Sequence, residues 1–167
     1  MKAINIFITG NNSLMRQALR NLSQSMQMVC VGEATSGSGL LDKIISPPDL
    51  FLLDLDMPYQ TTSIEIIKKL KTNYPSLKIT TFSYQVKKPL LIKALTSESV
   101  RGYILKEEPY PKIEEAIKSV AAGKEYYSKK IIKAMLEAMQ QRDQGPKLYI
   151  REIQVFSLIS STNHEIA

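Results

Sequence analysis

Short apolar segments alternate with longer, more polar segments along most of this chain. The apolar segments are rich in Ile, Val, Leu and Phe and predict strands over 3–9, 27–32, 49–54, 77–83 and 101–105. The segments between them have apolar residues at helical spacing and predict helices over 13–25, 36–46, 62–72, 87–97 and 110–122. Strict alternation of strand and helix indicates an α/β fold with helices on both faces of a parallel sheet. We therefore expect a five-stranded doubly wound sheet in the common order 2-1-3-4-5.

The pattern changes after Gly123, which suits the end of the last helix of the sheet domain. An amphipathic stretch over 129–141 predicts a separate C-terminal helix, and the polar run 140–147 ends on Gly-Pro like a linker. A short helix is predicted from Ile150 to Ile159, followed by a turn and the start of another helix. We expect three parts: a domain over 1–123, a linker helix and linker over 124–147, and a helical segment over 148–167.

One carboxylate stands at the end of an almost wholly apolar strand. The segment Leu50 to Leu53 predicts a strand buried on both faces, and Asp54 follows it directly, before Met57-Pro58. Open α/β folds place their chemistry where parallel strands end. A carboxylate at such a place must be hydrated, paired or used, so Asp54 is a candidate functional residue.

Composition narrows the choice of function without deciding it. Hydrophobic residues make up 44% of the 167 positions, and no apolar run approaches the roughly 20 residues that a membrane helix needs. No signal peptide is visible, so a cytoplasmic protein without membrane contact is expected. Cys30 is the only cysteine, which excludes an internal disulfide. The net charge of +6 is compatible with nucleic acid binding but forms no dense basic tract.

In the predicted strand order, several polar residues converge at one edge of the sheet. Gly10 and Asn11 follow strand 1, Asp54 follows strand 3, Ser83 follows strand 4 and Lys106 follows strand 5. A carboxylate, a hydroxyl and an ammonium group brought together suit phosphoryl transfer to the carboxylate. Asp54 would accept the phosphoryl group, whose oxygens Lys106 and Ser83 would hold.

Three motifs give the chain a family resemblance. The run LLDLDMP, the strand ending at Ser83, and the run GYILKE over 102–107 resemble the receiver (CheY-like) domain of bacterial two-component response regulators. The run AAGKEYY over 121–127 and the tail over 151–167 resemble the subfamily whose receiver precedes a LuxR-type helix-turn-helix. The resemblance covers about three-quarters of the chain and makes 148–167 the start of an incomplete DNA-binding module.

The resemblance implies a function and roles for particular residues. The chain would control transcription in a phosphorelay, with a sensor histidine kinase as partner and a homodimer as assembly, and would not be an enzyme. Asp54 would be the phosphoacceptor, with Ser83 and Lys106 as its partners. Tyr103 would be a switch residue together with Ser83, although a packing role for its ring is equally open. Asp56 is expected to carry a surface side chain, with its backbone carbonyl facing any metal.

The chain departs from the family pattern at the metal site. Receivers usually carry two acidic residues after strand 1 that bind Mg²⁺ with the phosphoacceptor, whereas Gly10 and Asn11 stand there. Magnesium is held chiefly by carboxylate oxygens, so the remaining set of Asp54, the Asp56 carbonyl and Asn11 predicts a weak or absent metal site and no other cofactor. We expect a resting ion pair between Asp54 and Lys106. Phosphorylation of Asp54 is then weak or absent, and the alternative is a phosphorylation-independent receiver that acts in dimerisation or partner binding.

The tail also departs from the family. A helix-turn-helix reads bases through its second helix, which the sequence to residue 167 does not contain. Specific DNA binding is therefore expected only if a complete helix-turn-helix exists in the full-length protein. The sequence leaves open whether this is a fragment of a longer regulator or a natural truncation.

A different function class remains as a remote alternative. The run Thr9-Gly10-Asn11-Asn12-Ser13 resembles the phosphate loop of flavodoxins, which share the predicted topology and bind FMN at a helix N-terminus. Flavin stacking would need aromatic residues after strands 3 and 4, and Tyr59 and Tyr84 are the candidates.

Overall fold

The computed structural model describes residues 3–58, 62–87 and 100–140. Within these ranges the strands are β1 (Asn5–Thr9), β2 (Val29–Ala34), β3 (Leu50–Asp54), β4 (Lys78–Ser83), β5 (Gly102–Leu105) and β6 (Tyr126–Tyr127). The helices are α1 (Ser13–Ser25), α2 (Ser63–Asn73), α3 (Tyr110–Ala121) and α4 (Lys129–Gln140), with a short 3₁₀ turn at Leu41–Lys43. No helix in these ranges has the length and apolar character needed to cross a bilayer.

The sheet is parallel throughout and has the order β2-β1-β3-β4-β5-β6. The predicted doubly wound order 2-1-3-4-5 is therefore confirmed, with one short strand added beyond β5. Tyr126 and Tyr127 form this sixth strand, held by hydrogen bonds from Tyr126 N–H to Arg101 O and from Ser128 N–H to Tyr103 O, both 3.0 Å. A strand of two residues has no alternation that a sequence pattern could detect.

Two hydrophobic clusters cover the two faces of the sheet. On one face, Phe7, Phe51 and Tyr103 pack with residues of α2 and α4. On the other face, Ile8 and Leu52 pack with residues of α1 and α3. All five residues of β3 are buried, as its apolar run predicts for a central strand covered on both sides. The last of these residues is Asp54, which places a carboxylate at the carboxyl edge of the sheet.

The helix predicted over 36–46 is wrong, because only a 3₁₀ turn at Leu41–Lys43 forms there. Gly37 and Gly39 make a helix costly at its start, and Gly39 adopts a φ of +58° that a helix does not allow. The pair Pro47-Pro48 ends the segment. Its apolar residues still enter the core, since Leu40 and Ile44 are buried against the face that carries Phe51.

The remaining helices begin at recognisable caps. Asn12 accepts a hydrogen bond from Met15 N–H at the start of α1, and Thr62 and Glu65 form a reciprocal capping box at the start of α2. The C-terminal helix predicted over 129–141 is observed as α4, with Ile131 and Met135 fully buried. The predicted helix over 87–97 lies outside the described residues apart from its first position, as do Tyr59 and everything predicted after residue 140.

Candidate functional site

Asp54 is buried at the carboxyl end of β3, and neighbouring strands fix its position. Its backbone N–H donates to Thr9 Oγ1 at 2.8 Å, and the Thr9 hydroxyl donates to Leu52 O at 3.1 Å. This bridge ties the end of β1 to the end of β3. The next residue extends the sheet contact, because Leu55 N–H donates to Phe82 O at 2.8 Å. The carboxylate therefore sits on a rigid edge of the sheet, and only 3% of Asp54 is exposed.

Lys106 reaches this carboxylate from the end of β5. Its Nζ lies 2.6 Å from Asp54 Oδ1, and both side chains are almost fully buried. The strand end is held by a hydrogen bond from Lys106 N–H to Ser83 O at 2.9 Å. The ammonium group also lies 4.5 Å from the centre of the Tyr84 ring, a cation–π distance. The ion pair expected from the sequence is thus present in the structure.

Asp56 takes part in the same cluster, contrary to the expectation of a surface side chain. Its carboxylate lies 3.2 Å from Lys106 Nζ and 3.1 Å from Lys87 Nζ, and it accepts a hydrogen bond from Tyr84 N–H at 2.7 Å. Its own N–H donates to Asp54 Oδ1 at 2.9 Å. Partial burial would raise the pKa of the Asp56 carboxyl, but the hydrogen bonds from Tyr84, Lys87 and Lys106 outweigh it and hold the pKa below its usual value. Asp56 lies in the turn that directly follows β3, and the hydrogen bond from Leu55 N–H to Phe82 O holds this turn against the end of β4.

The ion-pair cluster consists of Asp54, Asp56, Lys87 and Lys106. Ser83 and Tyr103 form a second group beside it. The Ser83 hydroxyl donates to Gln85 O at 2.5 Å and lies 3.2 Å from Tyr103 Oη. Tyr103 is completely buried, and its Oη accepts a hydrogen bond from Lys87 N–H at 2.7 Å. Burial raises the pKa of the Tyr103 phenol, so the phenol stays neutral and able to donate. The observed ring position is thus fixed by packing and by hydrogen bonds to the segment after β4.

Gly10 and Asn11 supply no carboxylate to the site. Gly10 N–H donates to Ala34 O, and Gly10 O accepts a hydrogen bond from Arg16 Nη1 at 2.7 Å. A Cβ on Gly10 would lie 3.2 Å from Asp54 Oδ2, so this position faces the Asp54 carboxylate directly. Asn11 is exposed. Across residues 3–58, 62–87 and 100–140, no three His, Cys, Asp or Glu side chains are grouped so as to hold a metal ion.

The structure brings together most of the residues predicted for the site. Asp54 and Lys106 are in direct contact, and Gly10 borders Asp54. Ser83 contacts Lys106 through its backbone carbonyl and Tyr103 through its hydroxyl. Sequence reasoning missed the roles of Thr9, Lys87 and the Asp56 carboxylate. Thr9 had one signal, a hydroxyl at the end of the apolar strand β1. Lys87 had none, because its contact depends on the path of the chain after β4.

Comparison with known families agrees with this architecture. The family model described as the response regulator receiver domain matches residues 6–118. The match spans β1 to α3 and includes every residue of the ion-pair cluster. The chain therefore belongs to the response regulator receiver family, and the flavodoxin alternative gains no support.

Curated relatives carry names of bacterial regulators. The transcriptional regulatory protein DesR of Bacillus subtilis is 31% identical over 134 residues, which are 77% of this chain and 64% of DesR. The response regulator GacA of Pseudomonas viridiflava is 28% identical over 162 residues, 93% of this chain and 75% of GacA. This chain thus spans less than two thirds of the length of DesR.

Solved structures confirm the receiver fold. A LuxR-family two-component response regulator from Aurantimonas sp. SI85-9A1 superposes with a TM-score of 0.72 at 20% identity, covering 83% of this chain and 99% of that chain. The isolated receiver of RcsB from Salmonella enterica serovar Typhimurium, solved with the phosphomimetic BeF3-, gives a TM-score of 0.69 at 20% identity and covers 79% and 98%. At these identities the likeness establishes the fold alone.

Proposed function

We propose that this chain is the receiver part of a transcription regulator in which the Asp54–Lys106 ion pair replaces a metal-dependent phosphorylation site. The observation that carries the proposal is the buried contact of 2.6 Å between these two residues, at an edge of the sheet where Gly10 and Asn11 offer no carboxylate. The receiver then acts mainly through dimerisation and contacts with partner proteins, and Asp54 is phosphorylated weakly or not at all.

The donor groups at the site do not fit a magnesium ion. Magnesium prefers several oxygen ligands in octahedral geometry, carboxylates among them. The two carboxylates of Asp54 and Asp56 are both in contact with the Lys106 ammonium group, and Asp56 also with that of Lys87. A divalent cation would have to displace these ammonium groups with no added acidic residue to favour the exchange. These contacts support the proposal that the site relies on lysine instead of a metal ion.

The balance of charges at the site explains why phosphoryl transfer from a donor to Asp54 would be slow. Phosphoryl transfer depends on positive charge that offsets the oxygens of the incoming group. Lys106 contacts Asp54, and the negative charges of Asp54 and Asp56 already engage its ammonium group. The Ser83 hydroxyl donates to Gln85 O instead of pointing its proton at Asp54. Reaction at Asp54 would first have to break a buried ion pair.

Regulation then has to act through the elements next to the site. Tyr103 belongs to the same hydrophobic cluster as Ile131 and Met135 of α4. A partner that changes the surface near β4 and β5 would shift the balance between two packings of this cluster, which is a population shift. Because α4 leads towards the segment that resembles a DNA-binding module, such a shift would reach that segment.

The partners follow from the family and from the names of the relatives. A sensor histidine kinase is the partner of response regulators, and a homodimer is the assembly proposed here. DesR is named a transcriptional regulatory protein. NreC of Staphylococcus epidermidis is named an oxygen regulatory protein, and it is 25% identical over 83% of this chain and 68% of NreC. DNA binding is proposed only for a full-length protein with a complete helix-turn-helix.

The test is modification of Asp54 by a small phosphodonor. The 167-residue protein is incubated with Mg²⁺ and acetyl phosphate, and its intact mass is recorded. Beryllofluoride is added in a parallel sample, and backbone amide shifts are followed at Lys106 and Tyr103. The expected result is no mass increase and no saturating shift change. Stoichiometric phosphorylation abolished by Asp54→Asn would refute the proposal.

Variants with restored acidic residues show whether the missing carboxylates are the cause. Asn11→Asp adds a carboxylate at an exposed position without crowding Asp54. The double variant Gly10→Asp, Asn11→Asp adds the pair, although a Cβ at Gly10 approaches Asp54 Oδ2 closely. Gain of modification in either variant supports the proposal. Asn12→Asp, in which the cap of α1 is kept, is the matched control and should gain nothing.

A further inference from the structure

A basic depression lies at the end of the sheet opposite Asp54. It has a volume of about 360 Å³ and is lined by Lys71, Lys78 and Arg101, by the loop 75–77 and by Gly123. Lys78 is the first residue of β4, whereas Ser83 at the other end of this strand borders the ion-pair cluster. Among the described residues that line the depression, the charged side chains are those of Lys71, Lys78 and Arg101, and all are basic.

The three cations are held in place by backbone carbonyls. Lys71 Nζ donates to Pro75 O at 2.5 Å and to Leu77 O at 2.9 Å, which fixes the loop that forms one wall. Lys78 Nζ donates to Ala121 O at 2.6 Å, and Arg101 Nη1 lies 3.5 Å from Gly123 O, both at the end of α3. The side chains are thus oriented before any ligand arrives, which lowers the entropic cost of binding.

The hydrogen bonds of Lys78 and Arg101 to carbonyls at the end of α3 have a structural role, because they cap the C-terminus of that helix. A lysine near a helix C-terminus is favourable because the last carbonyls carry about half a negative charge. That partial charge does not offset the full positive charges of Lys78 and Arg101, which line the same depression. An ammonium group has three hydrogen-bond donors and a guanidinium group has five. The Lys78 side chain makes one hydrogen bond, of 2.6 Å, in the described part of the chain, and the Arg101 side chain makes one long bond, of 3.5 Å. Several donors therefore remain for a ligand.

We propose that this depression is a binding site for a small phosphate-bearing molecule, separate from Asp54. Arg101 contributes a planar fork that matches phosphate oxygens, and Lys78 contributes a point charge beside it. Lys71 acts as a positioning residue because its hydrogen bonds shape the loop 75–77. The volume falls within the range of small-molecule sites, and the lining charges select an anion of more than one negative charge.

The experiment uses pyrophosphate as the probe and the 167-residue protein labelled with ¹⁵N. Pyrophosphate is titrated at constant ionic strength while backbone amide shifts are recorded. Saturable shifts centred on Ser76, Leu77, Arg101 and Gly123 are expected. Arg101→Gln and Lys78→Met should each weaken binding by about tenfold or more, because each removes a charge-assisted contact. Shifts that increase without saturation would overturn the proposal.

Controls separate a built site from general charge attraction. Lys68→Met removes one charge from the exposed side of α2 and should leave the affinity unchanged. Sulfate at equal ionic strength should bind at least about tenfold more weakly than pyrophosphate, since it bridges fewer donors. Equal weakening by Lys68→Met, or equal affinity for sulfate, would overturn the proposal. Urea unfolding of Lys78→Met checks that weaker binding does not come from a loss of stability at the end of α3, where Lys78 donates to Ala121 O. Arg101→Lys keeps the positive charge but loses the planar guanidinium group, so its affinity for pyrophosphate should be intermediate.

Discussion

Lys106 and Asp54 form an ion pair of 2.6 Å between side chains that are 5% and 4% exposed. A pair so far from water costs free energy to desolvate, and it is favourable only while both charges are present. Asp56 adds a second carboxylate at 3.2 Å from the same ammonium group. A substitution that removes only one charge of the ion pair should therefore lower the stability of the folded protein.

Removal of Lys106 should destabilise the protein strongly. Lys106→Met keeps most of the side-chain volume but leaves the Asp54 carboxylate buried without its ammonium partner. We expect the free energy of unfolding to fall by about 3–5 kcal/mol at neutral pH, measured by urea denaturation. The double variant Asp54→Asn, Lys106→Met should be less destabilised than Lys106→Met alone, because the buried charge is then gone. A double variant less stable than Lys106→Met would contradict this interpretation.

The sequence predicted the sheet well because its signals are local and repeated. Each strand is an apolar run, and alternation with helices leaves few topologies, so the order of β1 to β5 followed directly. Asp54 and Lys106 were found for the same reason, since both come directly after such runs. The false helix over 36–46 shows the limit, because apolar spacing placed Leu40 and Ile44 in the core correctly while glycines decided the backbone.

Contacts that depend on the path of a loop were not predictable. The Asp56 carboxylate turns back to Tyr84 N–H and Lys87, and neither contact has a spacing signature. The direction of the Ser83 hydroxyl is another such case. The sequence predicts that it serves a phosphoryl group on Asp54, which remains a prediction, and its observed hydrogen bond to Gln85 O has no sequence signature. The short strand β6 was missed because two residues carry no periodicity.

The hydroxyl of Tyr103 should contribute to stability through the segment that follows β4. Tyr103→Phe leaves the N–H of Lys87 without its acceptor at 2.7 Å and removes the polar contact with Ser83. We expect a loss of about 1–3 kcal/mol in the free energy of unfolding, measured by urea denaturation. Tyr110→Phe is the control, because Tyr110 is 54% exposed and should change stability very little. Equal stability of Tyr103→Phe and wild type would show that these hydrogen bonds contribute nothing.

Asp56 should make stability depend on pH at the acidic end. Its pKa is lowered in the folded protein, so the folded state favours the charged carboxylate. A carboxyl of this kind stabilises above its unfolded pKa, near 3.8, and the contribution is lost as the pH falls through the lower folded pKa. Wild type and Asp56→Asn should therefore differ most near neutral pH and converge towards pH 3. Urea midpoints of both proteins measured across this range test the sign, and a difference that grows as the pH falls would contradict it.

Ser128 links the edge of the sheet to the linker helix α4, and its removal should loosen that link. Its Oγ accepts a hydrogen bond from Leu105 N–H at 3.0 Å, one residue before Lys106, while its own N–H donates to Tyr103 O. Ser128→Ala leaves the buried N–H of Leu105 without an acceptor, so the free energy of unfolding should fall by about 1–3 kcal/mol. Hydrogen exchange should also become faster at the amides of α4 before it does in β3. Ser119→Ala on α3 is the matched control, because none of the hydrogen bonds of the described residues uses its hydroxyl. Unchanged exchange in α4 of Ser128→Ala would show that this hydrogen bond does not hold the helix to the sheet.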